Sequence, residues 1–88
     1  MAKEAVEFNV INQRMLEKFS DALPKAEDTP LVRYRGDLVR AAAANGWLAG
    51  KDAGLKAEEV DEMDPREVVR IANAVMAKIA ELTVIDPN

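Results

Sequence analysis

The chain has 88 residues, with 12 basic and 16 acidic side chains and a formal net charge of −4. It holds neither cysteine nor histidine. That excludes thiol chemistry, a disulfide-stapled scaffold, the usual zinc ligand sets and any catalytic triad built on histidine. The acidic balance disfavours nonspecific nucleic-acid binding, which depends on neutralising phosphates.

The length suits one domain over 1–88. About half of the residues are apolar and a third are charged, a globular balance. Few aromatics and many alanines predict a thin core, so a homo-oligomer or a docked partner would help stabilise it. No stretch reaches the ~20 apolar residues that span a bilayer. The opening "MAKEAVEFNV" lacks the apolar run and cleavage site of a secretory signal. The expected location is the cytoplasm, away from membranes.

In chain order, "VEFNV" alternates apolar and polar residues, which places Val6, Phe8 and Val10 on one strand face. Phe8, Ile11, Met15, Phe19 and Leu23 also recur at helical spacing, with Gln13, Glu17 and Asp21 opposite. The spacing predicts a helix over about 9–22, preceded by a short strand. Such a strand needs a partner, either the tail "LTVI" at 82–85 or a second subunit. "LPKAEDTP", 23–30, is a linker, with two prolines, a charge cluster and no period.

Thr29-Pro30 predicts the start of a second helix, Thr29 as N-cap and Pro30 at the first position. Leu31, Leu38, Val39 and Ala42 form its apolar side, and Arg33, Asp37 and Arg40 its polar side. "AAAA", 41–44, is strongly helical, and Asn45-Gly46 offers a left-handed end. Trp47 follows directly and is expected to fold back onto the core.

This helix contains Arg35-Gly36-Asp37, the tripeptide read elsewhere as an adhesion ligand. On a helix Arg35 and Asp37 diverge by about 200°, so they cannot be displayed together. Arg35 falls on the apolar side, where an arginine must snorkel, pair with a carboxylate or lie at an interface. It is expected to bond an acidic group of this fold or of a partner. Gly36 permits close approach by another helix.

Residues 49–63 form an acidic connection before the last helix. The last helix opens on Asp64-Pro65-Arg66-Glu67, an N-cap Asp, Pro at the first position and Glu at the third, with Met63 and Val68 placed as a hydrophobic staple. Val68, Ala72, Val75, Ile79 and Leu82 form its apolar stripe, widened by Val69, Ile71 and Met76, while Arg70, Ala74, Ala77 and Glu81 face away. The result is a mainly α fold, a small three-helix domain.

No catalytic constellation emerges, and neither an enzyme nor a cofactor is expected. The four glycines at 36, 46, 50 and 54 fit no phosphate loop. "DAGLKAEEVDEM" lacks the alternating oxygen ligands of a calcium loop. The acids of 58–64 read as a solvated face leading into a helix N-terminus, or alternatively as a docking surface for a basic partner. Trp47 reads as core packing, with an interface anchor as the alternative.

"YRGDLVRAAAANGWL", "VDEMDPREVVRIANAVMAKIAEL" and the terminal "IDPN" resemble small acidic helical proteins of the tail-assembly gene regions of tailed phages and prophages. The resemblance spans about 33–88. It implies a non-catalytic protein-binding module, a tail assembly chaperone or minor morphogenesis protein. Such proteins bind another phage protein, typically the long tape-measure protein, and keep it soluble until the tail tube polymerises. What the resemblance carries over is an exposed helical binding surface, and Tyr34, Arg35, Trp47 and Met63 are its candidates here. The competing expectation is a small acidic regulator or inhibitor that binds an enzyme or nucleic-acid-binding protein through 58–64.

Overall fold

Asn12 starts the first helix by a local contest for backbone hydrogens. Its side-chain oxygen accepts from the Met15 amide at 2.9 Å, which satisfies one of the orphan donors of a helix start. In this computed structural model, which describes residues 5–83, helix α1 runs Gln13–Ala22. It is preceded by strand β1, Glu7–Phe8. The helix therefore starts later than the spacing alone implies, because β1 takes Phe8 out of the helical stripe. Phe19 is its one buried residue, with Met15, Leu16 and Leu23 packed beside it.

The linker contains a 3₁₀ turn, Ala26–Asp28. Helix α2 then runs Leu31–Ala44, with Pro30 at the N-cap and no side-chain cap. The expected Thr29 cap is not formed, since the Thr29 hydroxyl instead donates backwards to the Lys25 carbonyl at 2.9 Å. α2 buries Gly36, Leu38, Val39, Ala41 and Ala42. Leu31, expected on this apolar side, is 58% exposed, because nothing covers the first turn.

The end of α2 follows from Gly46. At φ +71° it occupies the left-handed region that glycine enters without a Cβ clash. The Gly46 amide donates to the Ala43 carbonyl, and the Trp47 amide to that of Ala42 at 3.0 Å. These are the two bonds of a Schellman ending. It reverses the chain and aims Trp47 inward, where the indole is fully buried. The ring stacks on Phe19 with centroids 4.3 Å apart and 24° between planes.

Leu48–Ala49 continues as strand β2. It pairs antiparallel with β1, Glu7 opposite Ala49 and Phe8 opposite Leu48. The partner of the N-terminal strand is thus β2, a segment the sequence reading did not propose for it. Of the 82–85 tail, Leu82 and Thr83 belong to the last helix, while residues 84–85 lie outside the described residues. Asn9 secures the pairing, donating its amide to the Trp47 carbonyl and its side chain to those of Gly46 and Leu48. Trp47 and the β pair therefore share one anchor.

Two 3₁₀ segments, Gly50–Asp52 and Ala57–Glu62, make up most of the acidic connection. Helix α3 follows, Pro65–Thr83. The Asp64 carboxylate accepts from the Arg66 amide at 2.9 Å, as expected of the N-cap. Ile71, Ala72 and Val75 are buried, and Val68 and Ile79 pack against the core. Val60 plugs into the same core from the 57–62 segment. Lys78 of α3 sits 5.7 Å from the Phe8 ring centroid, where its charge can favour the ring face.

The Phe19–Trp47 stack supports a direct prediction. Phe19→Ala should cost about 3–5 kcal/mol, close to the whole stability of a domain this small. Urea unfolding followed by Trp47 fluorescence checks this, and a loss below about 1 kcal/mol would remove the stack from the core.

Candidate functional site

α2 and α3 pack together behind the 57–62 segment but do not close at the N-terminal ends of both helices. They leave an open groove of about 350 Å³. Val32, Arg35 and Gly36 line it from α2, and Val60 and Met63 from the connection. Val68 and Val69 line it from the first turns of α3. Val32 stands at its edge 82% exposed. Leu31 and Val32 precede Arg35 by about one turn, so helical spacing puts all three on neighbouring positions of one face.

The charges around this groove are unequal. Arg40 spans its floor, donating to Asp37 at 2.8 Å and to Asp61 of the 57–62 segment at 2.5 Å. The hydrogen bond to Asp61 is the main cause of the raised Arg40 pKa. Gly36 makes room for this bridge, since a Cβ there would stand 3.1 Å from the Arg40 Nη1. The glycine admits a guanidinium rather than the backbone of another helix. The Arg35 side chain has no hydrogen bond or ion pair with any described residue. The intramolecular acidic partner expected for it is therefore not among the described residues. The carboxylate closest in sequence, Asp37, is taken by Arg40.

The four candidate residues separate. Arg35 and Met63 line the groove together. Tyr34 faces a different depression, with Leu16, Phe19 and Leu23 of α1 and Ile79 of α3. Trp47 is fully buried, so it is a core residue and offers no surface to a partner. Sequence reasoning missed Val32 and Val69 as groove residues. The signal was available in two consecutive large apolar residues, Leu31 and Val32, at a helix start where only one could face inward.

The acidic segment is largely occupied by its own fold. Glu59 accepts from the Lys56 amide at 2.8 Å, Asp61 holds Arg40, and Asp64 caps α3. Its pKa is lowered, mainly by the hydrogen bond from the Arg66 side chain and then by that from the Arg66 amide. All five acids of 58–64 are exposed, and the Glu58 and Glu62 carboxylates have no ion pair among the described residues. No group of acids among the described residues is arranged to hold a metal ion.

Arg70 corrects a further expectation. It was placed on the outer face of α3, yet its side chain is only 16% exposed and reaches Asp52 at 3.2 Å and Glu67 at 2.9 Å. Asp52 arrives from the connection and covers that face. Glu67 therefore pairs forward along the helix instead of folding back as a capping-box acid. The Arg70 hydrogen bond holds the Glu67 pKa below the ordinary range.

Neither family models, characterised proteins nor solved structures yield a match to this chain. Among the described residues, no helix is long and apolar enough to cross a membrane.

Two outcomes test this geometry. Asp64 and Glu67 have lowered folded pKa values, so the unfolded chain takes up protons first as pH falls. Their stabilisation is present at neutral pH and is lost as pH drops below about 4, through the depressed values. Urea unfolding between neutral pH and pH ~3 should show that loss, with a shallower acid slope in Arg66→Ala and Arg70→Ala. Gly36→Ala should gain helix propensity of about 1 kcal/mol, offset by displacement of Arg40. The gain should therefore be larger by roughly 0.5 kcal/mol or more in an Arg40→Ala background, and equal gains in both backgrounds would contradict the contact.

Proposed function

We propose that this protein is a non-catalytic protein-binding module of the phage tail-assembly type, a chaperone or minor morphogenesis protein. It acts in the host cytoplasm by holding a tail component until assembly. The observation that carries this reading is the open apolar groove between the start of α2 and the start of α3. Exposed Val32 lies at its edge and Arg35 in its wall without a described acidic partner. An apolar opening rimmed by charge on an acidic domain is the kind of surface that marks a protein contact. The resemblance of 33–88 to tail-assembly proteins supplies the class of partner.

The second reading, a small acidic regulator or inhibitor, rests on residues 58–64. Glu58 and Glu62 support it as exposed acids. Asp61 and Asp64 are paired with Arg40 and Arg66, which leaves that surface less charge to offer.

Co-expression with the tape-measure and tail-tube proteins of the same gene region, followed by pull-down, tests the proposal. Retention of the tape-measure protein in soluble form is the expected result. A tape-measure protein equally insoluble with and without this chain, together with no retained tail component, would overturn it.

A further inference from the structure

Three recognition modes could fill a groove of this shape, and the residues around it discriminate between them. An extended peptide gains affinity by adding a strand to an open sheet edge. The groove walls here are two α-helices and a 3₁₀ segment, which present no open sheet edge. The one strand pair, at Glu7–Phe8 and Leu48–Ala49, does not line it. A polyproline segment docks between aromatic rings, and no aromatic side chain lines this groove. An amphipathic helix satisfies its own backbone and needs only an apolar trough of valine and methionine type. Val32, Val60, Met63, Val68 and Val69 supply that trough.

Charge then narrows the occupant. Of the two arginines in the groove wall, Arg40 is bridged to Asp37 and Asp61, while Arg35 has no described carboxylate. Arg35 is a partly buried residue, and an arginine at an apolar surface gains from an acid delivered by the ligand. A second copy placing this same face against itself would have to supply an acid of that same face to Arg35, since a two-fold contact pairs like surfaces. Among the described lining residues the acid is Asp61, which already holds Arg40.

We infer that the groove binds an amphipathic helix of another protein, with apolar residues at i, i+3 or i+4 and i+7 seated between α2 and α3. An Asp or Glu on the rim of that helix pairs with Arg35. This rests on the protein-binding reading above and specifies the chemistry of the partner segment.

The test uses the full chain as bait against a displayed library of randomised peptides, with no helix imposed. Enriched peptides should carry the helical apolar spacing and one acidic residue. Val32→Glu should abolish their binding. Arg35→Glu should weaken it about tenfold or more, as loss of a close charge pair does, and should restore binding to peptides in which that acid is replaced by Lys. Val32 is largely exposed, so both variants should keep the native Trp47 emission, which checks that they fold. Enrichment of extended or proline-rich peptides would overturn the inference, as would ligands indifferent to both substitutions. A dimer in solution that Val32→Glu dissociates would give the groove to a second copy and also overturn it. A tape-measure protein retained equally by wild type, Val32→Glu and Arg35→Glu would refute the groove while leaving the tail-assembly reading standing. Peptide binding as described, with no tail component retained, would do the reverse.

Discussion

The fold depends on how α2 ends. Gly46 in the left-handed region closes two hydrogen bonds onto Ala43 and Ala42, and the second of these is made by the amide of Trp47. Helix termination and insertion of the largest core side chain are thus one event. Trp47 lands on Phe19 and joins α1 to α2. Its carbonyl receives Asn9, which sets β1 beside β2. In a chain this rich in alanine, few other side chains are large enough to fill the space between three helices. Without this reversal, α1 and the N-terminal strand would have little to pack against.

The same arrangement explains where the molecule stays open. Core packing is concentrated around Phe19, Leu38, Val39, Trp47, Ile71 and Val75, towards the middle and end of α2 and the middle of α3. The starts of both helices, marked by Pro30 and Pro65, lie beyond that density. The 57–62 segment, latched by Asp61 on Arg40, fills part of the gap and leaves the groove. The Arg-Gly-Asp triplet sits across this boundary with three separate tasks. Asp37 steadies Arg40, Gly36 gives its guanidinium room, and Arg35 faces the groove. An adhesion ligand would need Arg35 and Asp37 displayed together on a loop, and here both belong to α2, with Asp37 held by Arg40.

Much of this was legible in the sequence where a local rule decides the outcome. The Asp64-Pro65 start, the Asn45-Gly46 stop, the inward Trp47 and the Val68, Ala72, Val75 and Ile79 part of the α3 stripe follow from capping chemistry or helical spacing, while Leu82 and Met76, expected on that stripe, are exposed. Several misreadings turn on contacts brought, or not brought, from far along the chain. Leu48–Ala49 carries no periodic signal, so the partner of β1 could not be read from it. Arg70 lies on the polar side of its helix, and only the arrival of Asp52 buries it. Leu31 belongs to the apolar side of α2 by angle but has nothing to cover it. For the candidate site, sequence placed Arg35 and Met63 usefully. It could not separate Tyr34 from them, because the depression a residue faces is a property of packing.

The central claim is that Trp47 is locked into the core by the end of α2, so that the indole offers no exposed surface. Acrylamide quenching of Trp47, the chain's single tryptophan, tests this most directly. The account predicts blue-shifted emission and weak quenching in the native protein, both lost together on unfolding in urea. Water-like emission, with quenching equal to that of the unfolded chain, would contradict it.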